Sequence, residues 1–165
     1  MSNRIQIFAA GFLIAVLWMD LKFDFLLLPH IRAGEPATPE TLDAIAAYYK
    51  RVIAAERAGG MLIASVMVAG IIACAWQVLR YETVPKSIRA ALAILYLPPV
   101  LLAMFRIVPL AQRFGRQTDP LETQRAMAAE ILYSHLYCFV SMTLCLGLLL
   151  WTAKSGKTAK PVRSP

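Results

Sequence analysis

Charge is scarce in this chain. Only 16% of its 165 residues are Asp, Glu, Lys or Arg, against 59% that are hydrophobic. That scarcity excludes a soluble domain of this length, whose interior is too small to hide so much apolar surface, and makes lipid the solvent for most of the chain. Acids are rarer than bases, 10 against 17, which leaves a net charge of +7. In a soluble protein such a balance raises the question of nucleic acid. Here the placement of the cations excludes it as a partner. Lys154, Lys157, Lys160 and Arg163 crowd the terminal stretch TAKSGKTAKPVRSP, so residues 153–165 read as a basic, disordered tail lying on an anionic membrane face.

Cysteine is equally sparse. Cys74, Cys138 and Cys145 all sit in apolar runs with no C-x-x-C pair, which removes the motif of thiol-disulfide membrane enzymes. Cys138 and Cys145 are two helical turns apart, roughly 10 Å, too far for a mutual disulfide. All three read as small buried hydrophobes.

What the chain has in abundance is long apolar runs. Four of them, about residues 5–28, 61–80, 88–110 and 126–151, are each long enough to cross ~30 Å of hydrocarbon. The first begins right after MSNR, but WMDLKFDF stands where a signal peptide would have its small-x-small cleavage site, so it stays in the mature protein. The expected fold is all-α: an integral membrane four-helix bundle, residues 1–152, with both termini on one side. The loop YETVPKSIR lies on that same side. The unopposed tail cations favour a cytoplasmic position for it, because the other side balances its cations with acids.

The loop between the first two spans carries a helix of its own. Thr38, Pro39 and Glu40 form a start signal, and Leu42, Ile45, Ala46, Tyr49, Val52 and Ile53 recur at helical spacing. The result is an outer amphipathic helix over about residues 39–58, lying in the interface or capping the bundle, with Gly59 and Gly60 as the hinge into span two. In the second outer loop, Asp119-Pro120-Leu121-Glu122 reads as a cap followed by Pro at the first helical position. The fourth helix would then run about 48 Å from Pro120 to Trp151 and stand proud of the bilayer.

The few charges that enter the spans are the informative ones. Span one cannot cross without carrying Asp20, Lys22 and Asp24 inward. Asp20 and Asp24, four apart, share a face, and Lys22 points roughly the opposite way. An unpaired Asp at depth costs ~2.5 to 3.5 kcal/mol on insertion scales, so both acids need partners. Arg106 in span three and Glu130, Ser134, His135 and Tyr137 in span four lie at matching depth by helical rise. Tyr48, Tyr49, Glu56 and Arg57 of the loop helix stand above this layer.

One reading of the layer is structural: Asp20 or Asp24 pairs with Arg106, Glu130 caps another cation, and the network fixes helix register. Another is a polar pocket that binds an ion, a proton or a small ligand. A third is an interface with another membrane protein or a second copy of the chain. Asp20, Asp24, Glu130 and His135 supply oxygen and nitrogen donors for a metal, but no helix carries the E-x-x-H or H-x-x-x-H spacing that marks such a site. Pro98-Pro99 frees carbonyls around Ile94 and Leu95, a feature that lines cavities in some spans.

A first span closing on Pro, the outer segment LDAIAAYYKRVI and a third span ending in RIVPLAQRFGR together resemble the anthrone-oxygenase-like family of small four-helix membrane proteins. Val108, Pro109 and Leu110 carry the closest match. The resemblance implies the four-helix layout and an alternative function, a small membrane oxidoreductase or oxygenase acting on a lipophilic substrate. It assigns no catalytic residue. From the residues themselves the expected function is that of a membrane protein binding an ion or small ligand, or serving as a subunit of a larger assembly.

Overall fold

The computed structural model describes residues 2–54, 56–80 and 84–158, all helical apart from short turns and without strands among them. Helix α1 covers Ser2–Asp24 and passes through a 3-10 turn, Phe25–Leu27, into the short α2, Leu28–Ala33. Gly34 stops α2 in the left-handed conformation, φ 68°, which a residue without Cβ adopts at no steric cost. Helix α3 is Pro39–Ala54, α4 is Glu56–Arg80, and α5 is Lys86–Leu102. A π-helical turn, Ala103–Ile107, joins α5 to α6, Val108–Arg116, and α7 runs Leu121–Thr158.

Three stretches are long and apolar enough to cross a membrane: Gly60–Leu79, Lys86–Arg116 and Leu121–Lys154. Their faces are rich in exposed apolar side chains, among them Ile72, Leu79, Phe105 and Leu144, with Phe8 and Trp18 exposed on α1. Such a surface is consistent with a membrane protein.

Helices α1, α4, α5 and α7 pack in a ring. α1 lies between α4 and α7, and α5 lies between the same two on the far side. Leu13, Val66, Met67, Leu92, Val100, Met142 and Leu149 fill the centre. A second apolar cluster sits where α3 covers one end of the ring and joins Leu21 and Leu27 to Leu42, Ile45, Phe114 and Ile131. The helix start expected at Thr38 is built as such: the Thr41 backbone N–H donates to Thr38 Oγ1 at 3.3 Å. Leu42, Ile45, Ala46 and Tyr49 form the buried face of α3. That helix caps the assembly. His30 reaches Thr41 at 3.0 Å, Gln117 donates to Asp43 at 2.6 Å, and Arg125 donates to the Ala37 carbonyl at 2.9 Å.

Two boundaries differ from the sequence expectation. Helix α4 begins at Glu56 and includes Gly59 and Gly60, so the glycine pair lies inside a helix and is not a hinge; flanked by apolar neighbours, two glycines do not suffice to break a long helix. Helix α7 continues to Thr158, so the expected tail starts as helix over 153–158, and residues 159–165 lie outside the described residues. The side chains of Glu56 and Arg57, placed above the polar layer by sequence, also lie outside them.

The proline pair does not end α5. The helix runs through Pro98 and Pro99, and the wide turn at Ala103–Ile107 follows directly. Two residues without N–H deprive the preceding turn of donors, and a π turn is one way in which a helix absorbs such a mismatch. Across the ring the Cys138 thiol donates to the Pro99 carbonyl at 3.5 Å, which also accepts the Ala103 backbone N–H.

Candidate functional site

Helix periodicity separates the three charges of α1. Asp24 is fully buried, Asp20 is mostly buried, and Lys22 is exposed, as a four-residue spacing against a two-residue one requires.

The buried acids meet α7 and α3. Asp24 Oδ2 lies 2.6 Å from His135 Nδ1, and Asp24 Oδ1 accepts the Tyr49 hydroxyl at 2.6 Å. Asp20 Oδ1 accepts the Tyr48 hydroxyl at 2.7 Å. His135 Nε2 is 3.9 Å from Asp20 Oδ2. With Asp24 as acceptor, the Nδ1 of His135 carries the proton and Nε2 is the nitrogen presented to Asp20. Burial, and after it the neighbouring Asp24, push the Tyr49 phenol well above its ordinary range. It therefore stays a donor.

Aromatic packing holds the two tyrosines. Tyr48 stacks on Phe23 with centroids 3.8 Å apart, and Tyr49 meets Phe114 of α6 edge-on at 6.2 Å. These contacts fix where the hydroxyls point.

Arg106 is not part of this cluster. It forms a two-pronged pair with Glu130, at 2.6 and 3.1 Å, on the exposed outer surface of α5 to α7. The expected pairing of Asp20 or Asp24 with Arg106 is thus replaced by His135 and two tyrosines. Equal depth is not equal azimuth: Glu130 and His135 are five residues apart on α7 and stand about 140° apart around it, so one cannot share the other's neighbours. Tyr137 is exposed and Ser134 half-buried, and neither makes a side-chain hydrogen bond to Asp20, Asp24 or His135. Among the described residues no group of three His, Cys, Asp or Glu side chains is arranged to hold a metal. Of the four donors named from sequence, Glu130 is turned away onto Arg106.

The cluster opens on a cavity of about 130 Å³. Its walls are mainly apolar, with Leu13, Leu17, Met67, Val100, Ala103 and Met142 prominent, and Asp20, Tyr49, Gln112 and His135 supply the polar groups. A volume of this size holds several water-sized groups or the body of a small molecule. The π turn lies in its wall, since Ala103 and Ile107 both line it. Sequence reasoning placed Tyr48 and Tyr49 only as a layer above the acids; the signal that they are donors was the position of Tyr49 on the apolar face of α3, where a phenol needs an acceptor. Gln112, on the cavity wall, was missed. Its sign was a lone amide beside the apolar stripe of Ala111 and Phe114.

No family model, no curated protein and no solved structure matches this chain. The site therefore speaks through its own geometry: a histidine clamped by one carboxylate, facing a second, at the polar end of an apolar cavity.

Proposed function

We propose that the chain is a multi-pass membrane protein, a four-helix bundle of α1, α4, α5 to α6 and α7 capped by α3, which binds a small lipophilic molecule. The polar end of that molecule lies toward the end of the cavity that Asp20 and His135 mark, and its apolar body lies against Leu13, Met67, Val100 and Met142. The observation that carries this reading is the cavity itself, apolar over most of its wall with its ionisable groups gathered at one end. The exposed apolar faces of α1 and of the three long helices support insertion. The cations in the last turns of α7 and beyond it, Lys154, Lys157, Lys160 and Arg163, support termini on the cytoplasmic side. Asp24, Tyr49 and Tyr48 are positioning groups: they hold His135 and Asp20 in place and leave the binding atoms directed at the cavity.

The test is binding of octanol to the protein in neutral detergent, read by native mass spectrometry. The Val16→Trp variant serves as a block, because Val16 lines the cavity and is not fully buried. Wild type retains the alcohol and the variant loses it with its helix content unchanged. Equal retention by both would sink the reading.

A second reading is the small membrane oxidoreductase or oxygenase implied by the family resemblance. The Asp24 to His135 contact favours it: an imidazole oriented by a carboxylate, with its other nitrogen toward a cavity, is an arrangement suited to proton abstraction from a bound substrate. An absorption spectrum and metal analysis of the purified protein discriminate. A bound chromophore or stoichiometric metal supports the enzyme, whereas co-purifying polypeptides support a subunit of a larger membrane assembly.

A further inference from the structure

Beside the apolar cavity lies a second cleft of a different character, about 360 Å³ in volume and lined by Lys50, Gln112, Gly115 and Arg116. The two share a wall, for Gln112 lines both. Lys50 follows Tyr49 on α3, and Arg116 is one turn beyond Gln112 on α6. The cleft therefore sits at the α3-covered end of the cavity, past the level of Asp20 and His135.

Its charge is one-sided. Lys50 and Arg116 are exposed, and neither has an acidic partner among the described residues. Among the described side chains, the acids close to them in the chain are engaged elsewhere: Asp119 takes both prongs of Arg113, at 2.5 and 3.0 Å, Asp43 accepts from Gln117, and Glu122 pairs with Arg125. Two unpaired cations converge on a cleft that adjoins an apolar cavity. Lipid-soluble neutral molecules have no use for such a pair, whereas a phosphate or carboxylate accepts charge-assisted bonds from both.

We infer that the ligand is an anionic amphiphile, whose phosphate or carboxylate head lies between Lys50 and Arg116 and whose chain passes Gln112 into the cavity beside Asp20 and His135. The inference rests on the ligand-binding reading above and adds the chemistry of the head. The amide of Gln112 stands at the junction, where it can donate to the first oxygen behind the head group.

The experiment compares octyl phosphate with octanol on the protein in neutral detergent, by native mass spectrometry, in wild type and in the Lys50→Gln/Arg116→Gln double variant. Both substituted side chains are exposed, so the variant keeps its fold, which circular dichroism verifies. Wild type is expected to prefer octyl phosphate by about tenfold or more, and the double variant to lose that preference while holding octanol as before. A parallel arm in nanodiscs offers phosphatidylglycerol against phosphatidylcholine; retention of the anionic lipid alone, lost in the double variant, supports the inference and assigns the head to a bilayer lipid. Equal binding of octanol and octyl phosphate by wild type, or a preference that survives removal of both cations, overturns the inference and leaves the cavity reading standing. Failure of every probe to bind overturns both.

Discussion

Helix α1 is polar at two depths, and the two are treated differently. Near its end Asp20 and Asp24 have every near neighbour they need, with two hydroxyls and an imidazole in place. About 27 Å away along the helix, Gln6 is fully buried and makes no hydrogen bond of ordinary geometry with any described residue. The same holds for the buried Tyr96 hydroxyl and for Oε1 of Gln77. Charge explains the difference. A buried carboxylate without partners costs more than a fold of this size can bear, so sequence has been spent on it from three helices. An amide or phenol without a partner costs only about 1 to 3 kcal/mol and is tolerable.

That contrast can be broken by substitution, with unfolding measured in mild detergent. Asp24→Ala removes the common acceptor of Tyr49 and His135 and is expected to cost about 3 to 5 kcal/mol, the largest effect of the set. Tyr49→Phe removes a buried hydrogen bond to the Asp24 carboxyl group and is expected to cost about 1 to 3 kcal/mol. At the other region, Gln6→Leu is expected to change stability by less than about 1 kcal/mol, in the stabilising direction, since it removes a buried amide whose contact among the described residues is a weak one with the Cys74 thiol. A loss for Gln6→Leu as great as for Asp24→Ala would abolish the distinction. Lys22→Gln, at an exposed position, is expected to fall within about 0.5 kcal/mol of wild type, and a larger loss would show that Lys22 has a partner after all.

The Gln6 region offers a sharper test in its packing. A Cβ added at Gly70 would lie 1.7 Å from the Tyr96 hydroxyl oxygen and 2.5 Å from its ring carbon. Gly70→Ala is expected to destabilise by about 1 to 3 kcal/mol. Tyr96→Phe in the same chain should recover part of that loss but not all, because the ring carbon remains in the way. Full recovery would mean that the hydroxyl alone sets the distance between α4 and α5.

Much of this was legible in sequence, and the parts that were not share a cause. The helical class, the cap at Thr38, the buried stripe of α3 and the opposed faces of Asp24 and Lys22 all follow from local spacing, and the structure has them. His135 was legible as a candidate from its depth. Its partner was not, because depth along parallel helices is a sum of rises, whereas partnership depends also on rotation about each axis. Arg106 lies within the π turn, where rotation departs from the regular 100° per residue and counting fails. The basic cleft was illegible for a different reason. Lys50 and Arg116 are 66 positions apart in sequence, and only the docking of α3 against α6 brings them to one cleft.

The π turn carries one more consequence. A wide turn is an α-helix with one residue too many, and everything beyond it is turned by about 100° relative to an uninterrupted helix. Helix α6 presents Ala111, Phe114 and Gly115 inward only under that offset. Deleting a single residue from 103–107 would therefore act as a key turned in a lock: α6 would rotate as a unit, Phe114 would leave Tyr49, and Gln112 would leave the wall between cavity and cleft. The spare residue is what lets one continuous helical segment line both the cavity and the cleft.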